Sequence, residues 1–285
     1  PKVITVTSDH TILVAGHAVI TGSFFTNISV AAFDENGNFI QRKIFDTYYD
    51  DEPNSICTDV SGNIALTGYS YFLNTQWDLF FLKLDGQLGI LKSKYYDAGT
   101  AQGEQARCIA YNNNNTFSIV GDEGGFNERN PMMMKLDADG EPIWSRRYMI
   151  SASFTNYLYH GSQCTDEGFL MTGDARPITQ FRIAPFLKTD KDGDLGCVNS
   201  LFTMTARDEI FTASDTSLIE FPVLVQPDTN PVPYSSFQLP TSNTVFCQSL
   251  VPCGSFTIIQ DSICPSPCYT FDELSYLADS WYWTF

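Results

Sequence analysis

The chain has 285 residues, enough for one large repeat domain or for a domain with an appendage. Acidic residues outnumber basic ones 33 to 16, and the formal charge of −17 speaks against a nucleic-acid partner, because phosphate contacts need clustered Lys and Arg. The hydrophobic fraction of 43% supports a core, yet no apolar run approaches the roughly 20 residues of a membrane helix.

The chain starts at Pro1 without a signal-peptide pattern, which predicts either a removed leader or a piece of something longer. From there a pattern repeats four times: a short apolar run ending in Gly, a loop, a second apolar run, then Asp. The glycines are Gly16, Gly68, Gly121 and Gly173, and the aspartates are Asp34, Asp85, Asp137 and Asp190, each set about 52 residues apart. In the second repeat the spacing predicts strands over 55–59, 63–69, 78–85 and 90–96, bounded by Gly, Asn and Asp. The third of these, from Asp78 to Asp85, is apolar on both faces, so something must pack on each side of it. Four-stranded antiparallel sheets packed face to face around an axis satisfy that demand. The expected fold is therefore an all-β β-propeller with four recognisable blades over 1–200. A β-sandwich is the alternative, but it does not explain the period.

Turns between third and fourth strands start at Asp34, Asp137 and Asp190 and reach Gly37, Gly140 and Gly193; the second repeat shows a shorter Asp85–Gly86 turn. Their spacing is one step too short for an EF-hand loop, so they read as hairpin turns, with calcium as the alternative. The last strand of the fourth repeat degenerates around 195–199, and beyond Leu201 the repeat is lost. Residues 201–285 read as an irregular, β-rich region, either a linker domain or an extra blade drawn from 201–250. A four-bladed ring and missing upstream blades are both open. Four of the eight cysteines crowd this region: Cys247, Cys253, Cys264 and Cys268. They are disulfide candidates, with zinc as the alternative, although the Cys247–Cys253 spacing is wide for a metal site. A short helix is expected over 271–280.

Ser55, Ile56, Cys57, Thr58 and Asp59, then Leu66 to Tyr69, Asp78 to Asp85, and Lys135 to Gly140 with Trp144, resemble the β-propeller repeats of large secreted Bacteroidota proteins. The similarity covers about 1–197. It implies an adhesin, a gliding-associated protein or another surface assembly, with export by the type IX route. No C-terminal sorting domain of that route is evident, and the family supplies no catalytic residues.

The long connections of such a fold carry aromatic residues, and binding side chains tend to ride on loops over a rigid scaffold. Tyr71, Phe72, Trp77, Phe126 and Arg129 are the candidate contact residues for a protein partner or a glycan. The same rings have a structural role open to them, capping sheet edges. Asp122 and Asp174 recur after the repeat glycine, as a glycosidase-like carboxylate pair would, but Tyr69 and His17 hold that position in the other repeats. His10, His17 and His160 are scattered, and no nucleophile, phosphate or dinucleotide motif is present. Met132, Met133 and Met134 read as core, and Lys83, Lys135 and Lys188 as pairing with nearby acids or reaching solvent. No cofactor or metal is expected. The reading is a secreted or cell-surface, non-catalytic module that binds protein partners or self-assembles within an adhesive, motility or filamentous structure. The alternative is a secreted polysaccharide-active enzyme or glycan-binding module using the long-loop face.

Overall fold

The computed structural model describes residues 1–19, 25–47, 49–72, 76–99, 103–125, 128–148, 155–176, 184–196, 199–208, 211–215, 256–261 and 268–273. These residues form strands and turns; none of them forms a helix, so no helix there is long and apolar enough to cross a membrane. The chain divides into two compact units, Pro1–Ser217 and Leu218–Phe285.

The described strands of the first unit form three sheets, antiparallel but for one bridge, with the third and fourth repeats sharing one of them. Sheet 1 orders β1 (Val3–Val6), β2 (Ile12–Val19), β3 (Thr26–Phe33) and β4 (Phe39–Asp46) side by side. Sheet 2 does the same with β5 (Asp50–Thr58), β6 (Ile64–Phe72), β7 (Gln76–Leu84) and β8 (Ile90–Asp97). Sheet 3 holds β9 (Glu104–Asn112), β10 (Thr116–Gly125), β11 (Glu128–Leu136) and β12 (Pro142–Tyr148). The fourth repeat contributes β13 (Thr155–Gln163), β14 (Phe169–Arg176) and the short β15 (Phe186–Lys188). One parallel bridge between Arg129 and Thr155 joins it to sheet 3.

The sheets pack face to face because their third strands are apolar on both sides. In β7, Phe80, Leu82 and Leu84 point into a core shared with Leu13, Ala15, Ile28 and Val30 of sheet 1. Leu79 and Phe81 of the same strand point the other way, onto Phe117, Ile119, Met132 and Met134 of sheet 3. Met133 turns to the next layer, with Leu158, Phe169 and Met171 of the fourth repeat. All five of those β7 side chains are fully buried. Burial of each contributes about 1.5–3 kcal/mol.

Asp34, Asp59, Asp85, Asp137 and Asp190 open turns of one design. In each, Oδ1 accepts the backbone NH groups two and four residues on, at 2.6–2.9 Å. The second repeat does not have the shorter turn expected at Asp85–Gly86. Its turn runs to Gly89 like the others, and Leu88 takes the left-handed position with φ of 59°. That conformation costs a non-glycine residue roughly 1–2 kcal/mol. Leu88 is fully buried in the core between sheets 1 and 2, which offsets it.

The described residues of 199–215 form a strap; 216–250, the rest of the stretch read as an extra blade, lie outside the described residues. β16 (Asn199–Leu201) adds to β12, β17 (Thr205–Asp208) to β8, and β18 (Thr212–Asp215) to β4, each antiparallel. The chain thus runs back along the fourth strands of sheets 3, 2 and 1. Between strands it plugs the seams: Met204 enters the core between sheets 2 and 3, and Phe211 the core between sheets 1 and 2. Arg207 on β17 pairs with buried Asp78 at 2.5 Å.

In the second unit β19 (Phe256–Asp261) pairs antiparallel with β20 (Cys268–Glu273). Phe271 to Glu273 are strand where a helix was expected, because they pair with Phe256 to Ile258. Cys268 lies in β20; Cys247, Cys253 and Cys264, and the rest of 274–285, lie outside the described residues. Cys57, Cys108 and Cys164 of the first unit are free thiols.

Phe211 stacks on Tyr95, with ring centroids 5.8 Å apart, and meets Phe80 edge-on. Phe211→Ala is expected to destabilise the first unit by about 3–5 kcal/mol and to speed hydrogen exchange in β17 and β18. Chemical denaturation with exchange mass spectrometry checks this; an unchanged midpoint would show that the strap adds no stability.

Candidate functional site

At the end of the sheets opposite the aspartate turns, six first-unit strands, β6, β7, β9, β10, β11 and β13, bring aromatic and charged side chains together. Tyr71 and Trp77 are cross-strand neighbours on β6 and β7. The Trp77 ring centroid lies 6.3 Å from that of Tyr71 and 6.0 Å from that of Tyr69. The Arg129 guanidinium, from β11, sits 5.3 Å from the centre of the Trp77 ring, which attracts it through the ring quadrupole.

Arg129 also holds Asp122. Its Nη1 donates to Asp122 Oδ1 at 2.5 Å, while Arg107 Nε donates to Oδ2 at 2.8 Å. Asp122 is fully buried, and two guanidiniums satisfy both of its oxygens. Arg107 reaches this place because it is a bulged residue. The β9–β10 ladder pairs Cys108 with Val120 and Ala106 with Gly121, which leaves Arg107 unpaired and turned out of the pleat. There it donates to Gln105 Oε1 and lies 5.5 and 5.7 Å from the rings of Tyr157 and Tyr159 on β13. Those two rings stack at 6.0 Å. The equivalent bulge residue in sheet 2 is Asn54, whose Nδ2 donates to the Ala106 carbonyl of sheet 3 at 2.8 Å. In the fourth repeat it is Tyr159.

A second set of carboxylates lies at the start of the first strands. Asp51 and Glu104 occupy the same repeat position, two residues beyond the glycine in the ladder partner, and Asn156 follows in the fourth repeat. All three are buried. Burial pushes the Asp51 carboxyl up to about 7, against the pull of hydrogen bonds from Ser70, Thr47 and Tyr95. Burial, with Asp78, Asp97 and Glu123 nearby, pushes Glu104 up to about 8. Glu104 faces Glu123 across the ladder, and Glu123 is ion-paired with Arg147.

Of the residues expected to form a contact surface, Tyr71, Trp77 and Arg129 come together, and Tyr71 is 40% exposed. Phe72 ends β6; its side chain and all of Phe126 lie outside the described residues. Asp122 is enclosed by arginines, and Asp174 is a ladder neighbour of Tyr157 on the next repeat. Sequence reasoning passed over Arg107, Glu104 and Asp51; the one available signal was their common repeat position with Asn54, Asn156 and Tyr159. The lysines behave as read for Lys83, which pairs with Asp59, and Lys188, which pairs with Asp166; Lys135 instead sits over the Phe169 ring. Among the described residues no group of three or more His, Cys, Asp or Glu is placed to hold a metal ion.

No protein-family model matches the chain, and no curated protein matches it.

Asp51 and Glu104 bind protons more tightly folded than unfolded. Their contribution to stability is complete below about pH 4 and is lost as pH rises through about 7 and 8. The wild-type denaturation midpoint is therefore expected to fall between about pH 5 and pH 9. An Asp51→Asn, Glu104→Gln double variant should flatten that slope, following the Asn already present at position 156. A slope equal to wild type would rule out these two groups as its source.

Proposed function

We propose that the chain is a non-catalytic, secreted or cell-surface β-propeller module that makes protein contacts within a larger assembly, akin to the Bacteroidota repeat proteins it resembles. The face-to-face sheets would be propeller blades. Their first strands share one edge, where Asn54 and Arg107 reach the neighbouring sheet, as first strands do around a propeller axis. Cryo-electron microscopy of the intact protein tests this part: a flat stack without angular fanning would exclude it.

The observation that carries the functional reading is the state of the charged groups. Asp122 is closed by Arg107 and Arg129, while Glu104 and Glu123 are buried at 1% and 2% exposure. A glycosidase needs its acid and base at the sugar, with one of them free to exchange a proton. What this end offers to a partner instead is ring surface, Tyr71 with Trp77 behind it, stiffened by Arg129. Rigid aromatic surface beside arginine is the composition enriched in protein interfaces. Phe72 and Phe126 belong to the same proposed surface by sequence.

Cross-linking mass spectrometry on the protein in its native source should place partner cross-links near 69–77 and 128–130. A Tyr71→Ala, Trp77→Ala variant should lower affinity for the identified partner by about 2 kcal/mol or more. Unaltered affinity would remove these residues from the contact. Hydrolysis of a polysaccharide panel that disappears in Asp122→Asn or Asp174→Asn would instead establish the enzymatic alternative.

A further inference from the structure

A lysine recurs two residues before the turn aspartate in three repeats, as Lys83, Lys135 and Lys188, and the first repeat has Ala32 there. Lys83 shows what the position does. Its Nζ lies 3.1 Å from Asp59 Oδ2 in its own sheet, donates to the Ala138 carbonyl of sheet 3 at 3.2 Å, and stands 5.4 Å from the centre of the Phe117 ring. Lys135 stands over Phe169 in the same way, 5.7 Å from its centre. Lys188 pairs with Asp166 at 2.5 Å. In the second repeat the ammonium thus bridges the seam to the next sheet at the turn end.

Between sheets 1 and 2 the same place is a cavity of about 220 Å³, and its lining contains the counterpart of each group around Lys83. Thr7 opens the first turn of its sheet as Asp59 does, each with its NH bonded to the carbonyl four residues on. Gly86 follows Asp85 as Ala138 follows Asp137, and Ile64 stands four before its repeat glycine as Phe117 does. The carboxylate comes from Asp9, third in its turn, the place that Asp166 holds in the turn that pairs with Lys188. Thr7 Oγ1 donates to Asp9 Oδ1. Hydrogen bonds from Thr7 and Thr11 hold the Asp9 carboxyl below the usual carboxylate range, so it is charged at neutral pH. Buried Leu13 and Ile64 give the cavity an apolar floor. Leu13 is the ladder partner of Ala32, where sheet 2 sets Ala65 beside Lys83.

We propose that this cavity binds a primary ammonium on an alkyl stem from outside the chain, in the place that Lys83 fills at the next seam. The site lies at the aspartate-turn end and does not depend on the reading of Tyr71 and Trp77 as a contact surface. An ammonium brings three donors and no acceptor, which suits a lining of carboxylate, hydroxyls and the Gly86 carbonyl. That carbonyl also accepts from Gln41 Nε2 at 3.2 Å, and a carbonyl oxygen has two lone pairs for the purpose. The apolar floor receives the methylenes of the stem. The volume is below the roughly 300–1,000 Å³ of pockets for drug-sized ligands, so the space suits a group the size of one side chain. The formal charge of −17 draws cations to the surface in general. Two carriers share this chemistry, a lysine side chain of another protein and a free diamine, and the probes below separate them.

Backbone-amide NMR of the full chain tests this, with titrations of Nα-acetyl-lysine N-methylamide and, separately, of cadaverine. The expected result is saturable shifts in 7–11, 60–64 and 86, with a dissociation constant in about the millimolar range. The Nε-acetylated lysine derivative, which keeps the stem and loses the charge, should leave those amides unmoved. Asp9→Asn, in an exposed turn, should weaken binding about threefold. Leu13→Ala with Ala32→Lys copies the Ala65–Lys83 pair of sheet 2 and should abolish binding, because the chain then fills the site itself. Should that double variant fail to fold, Asp9→Asn and the acetylated derivative decide. Saturation by the lysine derivative alone supports the site and assigns it to a side chain of a partner protein; saturation by cadaverine as well supports it and admits a free amine. Shifts that never saturate or that spread over the acidic surface, equal shifts with the acetylated derivative, or binding indifferent to Asp9→Asn would overturn the proposal.

Discussion

The third strand of each repeat carries apolar side chains on both faces, and one sheet alone cannot hide both. β7 shows the consequence most fully, with Phe80 and Leu82 in one core and Leu79 and Phe81 in the next. The second and third repeats therefore have a neighbour on either side, and the repeats pile up in chain order. Stability of this kind is shared between neighbours: the seam between two sheets belongs to both. It also explains why the turn end can be so uniform. Once the faces are fixed by burial, five aspartates closing five turns in one geometry suffice to keep the strands in register.

Stacked sheets leave two rows of strand edges, and the molecule treats them differently. On the first-strand edge, bulges in the second, third and fourth repeats each release one residue from the ladder, and Asn54 and Arg107 reach the next sheet. On the fourth-strand edge the strap adds a strand to three sheets in turn and drops Met204 and Phe211 into the seams. An added strand satisfies backbone groups that would otherwise invite pairing with another chain. The strap also carries charge to the right places, since Arg207 meets buried Asp78 and Asp208 meets Lys94.

The polar end of the sheets follows from the same crowding. Carboxylates at this end of the first and second strands are drawn out of water by the neighbouring sheet. They are then kept by one of two means: a raised affinity for a proton, as in Asp51 and Glu104, or arginine pairing, as in Asp122 and Glu123. Such groups organise the end of the molecule. The rings of Tyr69, Tyr71 and Trp77 lie beside them, held by cross-strand pairing and by Arg129.

The sequence by itself determined the period, the number of recognisable repeats, the two-faced third strands and the aspartate turns. All of these are written in residues close together along the chain. It also put Tyr71, Trp77 and Arg129 among the candidate contact residues of the long connections. Tertiary structure decided the rest, each time because a distant contact outweighed a local preference. Leu88 is a poor choice for a left-handed turn until its side chain is buried between two sheets. Acids and Pro53 argue against strand at 50–54, yet β5 begins at Asp50 because an edge strand with a bulge tolerates both. The strap strands are three or four residues long and without period, so only the open edges of β12, β8 and β4 reveal what they pair with. Arg107 meets Asp122 because a bulge aims it there, and a bulge is a property of a paired ladder, which a single strand of sequence does not display.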